Sequence, residues 1–90
     1  DKVRAEALDA WSQLEAARER AELSRQAAEV AAKVAEGERE RFELGATTII
    51  FVNLREQTAA DAQIARIDAE AEAHYAAARL ELAMGQRLIR

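Results

Sequence analysis

The sequence predicts an all-α fold, a long antiparallel helical hairpin of the coiled-coil type, with helices over about 2–43 and 48–84. Three observations predict it. The chain contains no proline, and alanine, the best helix former, fills about a quarter of its 90 residues. Apolar positions recur at alternating steps of four and three, the spacing of a coiled-coil seam. Only one stretch, Leu44-Gly45-Ala46-Thr47-Thr48, tells one helix to stop and another to start.

The first arm runs from about Lys2 to Glu43. Its main stripe is Val3, Ala7, Ala10, Leu14, Ala17, Ala21, Ser24, Ala28, Ala31, Ala35, Glu38 and Phe42. Small alanines at most seam positions let a partner helix come close, but each buries little area. A second stripe, Leu23, Ala27, Val30 and Val34, widens the apolar surface. Glu29 and Lys33 stand in the favourable i,i+4 order. Gly37 is either a tolerated weak spot in the helix or a point of close backbone crossing or flexing near the turn.

At the turn, Gly45 can take the left-handed conformation that closes a helix. Thr48 or Thr47 offers a hydroxyl to the first free amides of the next helix. Ile49, Ile50, Phe51 and Val52 follow, four apolar side chains that point in nearly every direction on a helix. Two readings are open: a hydrophobic plug under the turn with Phe42 closing over Ile49, or a tip that docks against another protein.

The second arm runs from about Ile49 to Met84, with Gly85 as its expected stop. One stripe is Ile64, Ile67, Ala71, Tyr75, Ala78 and Leu82. A neighbouring one is Leu54, Thr58, Ala62, Ala65, Ala69, Ala73, Ala76, Leu80 and Ala83. Folding about the turn makes positions whose numbers sum to roughly 92 face each other. That places Trp11 near Leu80 and Leu82, Ala17 near Tyr75, and Ala28 near Ile64. Two stripes per arm exceed what one partner helix covers, so self-association through helix packing is expected. Asp1 stands where an initiator methionine would, and the chain reads as a single hairpin, residues 1–90, belonging to a longer protein.

Composition narrows the function. The net charge is -4, whereas nucleic-acid binding needs a basic face. The absence of cysteine excludes disulfides and thiolate metal sites. No apolar run approaches the roughly 20 residues of a membrane-spanning helix. His74, the only histidine, has Glu70 at i−4, but one histidine and one carboxylate do not make a metal site. Asp61, Asp68, Glu70 and Glu72 read as a solvated acidic face, and Trp11 and Tyr75 as packing residues. No phosphate loop, nucleophile–base set or paired-carboxylate site is present. The reading is therefore no enzyme, no catalytic residue, no metal and no cofactor.

The segment from Arg41 to Gln57, Arg-Phe-Glu-Leu-Gly-Ala-Thr-Thr-Ile-Ile-Phe-Val-Asn-Leu-Arg-Glu-Gln, resembles the tip region of the outer membrane efflux protein (TolC-like) family. The shared pattern is an aromatic three residues before a glycine (Phe42 and Gly45), a threonine three residues after it (Thr48), then aliphatics and a Val-x-Leu run (Val52 to Leu54). An alanine-spaced helix follows, ending in Leu80-Glu81-Leu82-Ala83-Met84-Gly85. The wording from Val52 to Gln57 is closest to the heavy-metal efflux members. The remainder of the first arm matches only in its alanine-rich pattern.

The resemblance implies a segment of the periplasmic helical tunnel of a trimeric outer membrane channel in a Gram-negative bacterium, specifically the hairpin of the second repeat. It implies that Leu44, Gly45, Ala46, Thr47 and Thr48 dock to a periplasmic adaptor, which links the channel to an inner membrane pump. It places Phe51 and Leu54 at the entrance constriction, where some members carry acidic residues. An apolar constriction would stand there instead. Two rival readings remain open: the α-hairpin of a periplasmic adaptor protein, and a generic structural coiled-coil spacer.

Overall fold

The structure is a computed structural model that describes residues 1–89, with side chains described through Gly85. It is a helical hairpin. Helix α1 spans Lys2–Glu43 and helix α2 spans Ile49–Ile89, and the described residues contain no strand. Asp1 opens α1 as an N-cap: its carboxylate accepts the Arg4 amide hydrogen at 2.8 Å.

One boundary differs from the sequence reading. Gly85 does not stop the second helix at Met84; α2 continues to Ile89. A helix ends at glycine when the residue turns left-handed, and Gly45 alone among the described glycines has a positive φ. A helical glycine costs only about 1 kcal/mol against alanine, too little to break a helix by itself. At its other end α2 begins at Ile49, where the second arm is expected to start, and the Thr48 carbonyl accepts the first bonds of the helix.

Residue contacts divide the chain into two compact units, each holding a piece of both helices. The first comprises Asp1–Glu22 and the chain from Asp68 onward. Its core is Ala7 and Ala10 with Ala83, then Leu14 and Ala17 with Ala76, and Leu80 packs against both clusters. Ala17 is 1% exposed, the most deeply buried residue of this unit. Arg20 on α1 donates to Glu72 on α2 at 2.7 Å, which ties the two helices at the edge of this core. Both side chains are more than half exposed, so the pair contributes at most about 1 kcal/mol.

The second unit, Leu23–Ile67, holds the turn. Ala28, Ala35 and Val52 are its buried residues. The expected seam of α1 is the buried one: Ala7, Ala10, Leu14, Ala17, Ala28 and Ala35 are buried, and Val3, Ala21, Ser24, Ala31 and Glu38 are half-buried. On α2 the packed positions are Val52, Ala59, Ala62, Ala69, Ala73, Ala76, Leu80 and Ala83. Leu54, Thr58 and Ala65 from the expected stripe are exposed, as are all of Ile64, Ile67, Ala71, Tyr75, Ala78 and Leu82. Ile64 therefore does not cover Ala28, and Tyr75 lies outside the core with the Arg79 guanidinium 6.0 Å from its ring. Trp11 is half exposed beside Leu80.

Gly37 is not a close crossing. A methyl group added there meets nothing within 4 Å. Glu29 pairs with Arg25 at 2.7 Å in place of the expected Lys33.

Candidate functional site

The turn is built by backbone chemistry that Gly45 permits. Its φ of +75° lets the chain reverse at the end of α1. The Ala46 amide then donates to the Arg41 carbonyl at 2.8 Å and the Gly45 amide to the Phe42 carbonyl at 3.0 Å. These are the two crossed bonds of a Schellman motif, and they satisfy carbonyls that the helix end leaves open. Four residues later the next helix is under way: the Thr48 carbonyl accepts from the Phe51 amide at 3.1 Å and the Val52 amide at 3.3 Å.

Side chains lock this geometry. The Thr47 hydroxyl donates to Glu38 Oε1 at 2.8 Å, and Arg41 lies 3.6 Å from Glu38 Oε2. The Glu38 side chain is only 11% exposed. A carboxylate at this depth needs partners, and the hydroxyl and guanidinium supply them. Arg41 also reaches the Ala46 carbonyl at 3.5 Å. Next to Glu38, Arg39 pairs with Glu56 and joins α1 to α2.

This network was only half visible in the sequence. The sequence places Glu38 in the apolar stripe of α1 without naming a partner for it, and Arg41 three residues on is within reach on a helix. Thr48 or Thr47 is the residue the sequence offers as a hydroxyl cap for α2, and the Thr47 hydroxyl does not take that role. It bonds to α1 instead, and Thr48 caps through its carbonyl.

Around the turn the apolar residues face outward. Of the four consecutive apolar residues, Val52 alone is buried, at 0% exposure. Leu44 is 84% exposed and Ile50 73%. Ile49, Phe51 and Leu54 are about half exposed, and Phe42 slightly less. The structure thus gathers Leu44, Gly45, Ala46, Thr47 and Thr48 in the one hydrogen-bonded reversal between α1 and α2. Phe51 and Leu54, three residues apart, share a neighbouring helix face. A closed plug with Phe42 sealing over Ile49 is not what forms: the Phe42 ring stays 39% and the Ile49 side chain 47% exposed.

Elsewhere the described residues include no group of three or more histidine, cysteine or acidic side chains placed to hold a metal. His74 lies on an exposed face. Among the described residues no helix is long and apolar enough to cross a membrane. No family model matches the chain, and no curated protein or solved structure matches it.

Proposed function

We propose that this chain is a segment of the periplasmic helical tunnel of a trimeric outer membrane efflux channel, and that its turn docks to a periplasmic adaptor in a tripartite export pump. The observation that carries the reading is the tip: a backbone held by the Schellman bonds and the Glu38–Thr47 contact, displaying Leu44 and Ile50 that the hairpin itself does not bury. Large exposed apolar side chains on a hydrogen-bonded turn favour protein docking over solvation. The resemblance between Arg41 and Gln57 supports the same assignment. In this reading Leu44, Gly45, Ala46, Thr47 and Thr48 meet the adaptor, and Phe51 and Leu54 form an apolar constriction at the periplasmic entrance. The adaptor and the inner membrane pump are the partners, and the exported cargo is that of the assembled pump.

The test is an efflux assay in the full-length parent with Leu44→Glu, Gly45→Asp and Glu29→Ala, alongside adaptor crosslinking from the turn and trimer abundance. Leu44 is fully at the surface, so Leu44→Glu should leave trimers intact while efflux and crosslinking fall together. Gly45→Asp should do the same and destabilise the turn as well. Glu29→Ala removes an exposed pair and should change little. Efflux and crosslinking that survive Leu44→Glu would show the tip to be merely a turn.

A further inference from the structure

We propose that Glu38 is a positioning residue for the tip: its contact with Thr47 holds the polar side of the reversal inward and so keeps Leu44 and Ile50 at the surface, without adding to the stability of the fold. The inference rests on the geometry of the turn and not on what the tip meets. The tip is inverted in polarity. From Glu38 to Val52 the only residues that are not exposed are Glu38, Thr47 and Val52. Two of these three are polar, while Phe42, Leu44, Ile49, Ile50 and Phe51 face outward. Burial of apolar area alone favours the reverse arrangement.

Glu38 follows Ala28, Ala31 and Ala35 on the seam of α1. One of its carboxylate oxygens accepts from the Thr47 hydroxyl at 2.8 Å, and the other lies 3.6 Å from Arg41. The Thr47 contact spans the reversal, because Glu38 precedes Gly45 and Thr47 follows it. The Arg41 side chain is mostly exposed, so its pairing adds little. Taking a carboxylate out of water costs more than one hydroxyl bond and one exposed ion pair return. A leucine at this position would continue the seam without that cost. What the carboxylate supplies is selection. It is satisfied only when Thr47 points inward, and the place Thr47 fills is then closed to Leu44 and Ile50. A turn that tucked an aliphatic side chain there instead would leave Glu38 half-buried without its hydroxyl donor. Singling out one arrangement is the best-attested use of a polar group at a seam position.

The test reads stability and tip exposure in the same variants of the 90-residue chain. Urea denaturation gives the first. The relaxation that a soluble gadolinium chelate imposes on methyl groups in NMR spectra gives the second. In the unmodified chain Leu44 and Ile50 should relax strongly, and Val52, at 0% exposure, should not. Thr47→Val should lower the folded-to-unfolded ratio ~10-fold, as a buried acceptor left without its donor does. Glu38→Leu should be at least as stable as the parent, because it removes the carboxylate itself. Its Leu44 or Ile50 methyl groups should lose relaxation toward the level of Val52 as they turn inward. Glu38→Gln retains an acceptor for the Thr47 hydroxyl and should keep both residues exposed. A Glu38→Leu chain less stable than the parent would make Glu38 an ordinary stabilising contact and overturn the proposal. So would Leu44 and Ile50 that stay as exposed in Glu38→Leu as in the parent, or Glu38→Gln that hides them as Glu38→Leu does. None of these readouts involves efflux or an adaptor, so the proposal and the efflux reading fail separately.

Discussion

Gly45 is the residue on which the hairpin depends most directly. Its φ of +75° is one that a side chain resists, yet a methyl group there would meet nothing within 4 Å. Gly45→Ala thus isolates backbone strain from crowding. We expect a loss of about 1–2 kcal/mol, read by urea denaturation, with Gly45→Asn losing less because asparagine tolerates this region. Equal losses for both would mean that the turn relaxes to another conformation. The role of Gly45 was legible in the sequence because no other glycine is followed by threonines and a new apolar run. The partner of Glu38 was not. Periodicity locates residues on a helix, but the hydroxyl that satisfies Glu38 comes from Thr47, whose side-chain direction is set by the path of the turn.

At the scale of the helices, the α1 seam was readable from Val3 to Glu38, with Phe42 alone of the stripe exposed, because one stripe of threes and fours runs there without a rival over most of its length. The α2 seam was not, since two stripes competed there. Hydrophobicity favoured Ile64, Ile67, Tyr75 and Leu82, but the packed line is mostly alanine. Opposing alanines allow a close approach that isoleucine would block, and each buried methyl then contributes by contact more than by area. Ala17→Leu should accordingly destabilise the first unit by about 1–3 kcal/mol through overpacking, although leucine is the more hydrophobic residue. Thermal unfolding followed by circular dichroism checks this, and a raised midpoint would contradict the packing. Gly37→Ala should act in the opposite direction. The space beside it is open, so the helix gains about 1 kcal/mol of propensity, worth roughly 4–8 °C at the midpoint. No gain would mean that this part of α1 is held by something other than its own helical preference.

For the molecule as a whole, the apolar surface left over on α1 puts the self-association expected from the sequence to a test of stability against concentration. If copies pair through the second stripe of α1, which holds Val30, folding and association share one equilibrium, and the unfolding midpoint should climb steadily as protein concentration is raised. Val30→Glu should flatten that dependence. A midpoint fixed across a hundredfold range of concentration, about the span such a measurement needs, would place all of the stability within the single hairpin. The tip's outward display of Leu44 and Ile50 is the part of the candidate site that the sequence conveyed least well. Four consecutive apolar residues are equally consistent with a buried plug, and only the path of the turn turns three of them outward.

The sharp reversal at Gly45 also sets an order of events in time. Contacts close to it join residues near in the chain: Glu38 and Thr47 are 9 apart, and Arg39 and Glu56 are 17 apart. Arg20 and Glu72 are 52 apart. Closing a short loop sacrifices less chain freedom than closing a long one, so the ends can be drawn together progressively from the reversal, each step shortening the loop left to the next. Folding is then expected to start at the turn and zip outward. In stopped-flow measurements Gly45→Ala should mainly slow folding, whereas Ala17→Leu, far along the zipper, should mainly speed unfolding. The absence of proline removes the isomerisation that commonly adds a phase of tens of seconds, so the rate observed should report the zipper itself.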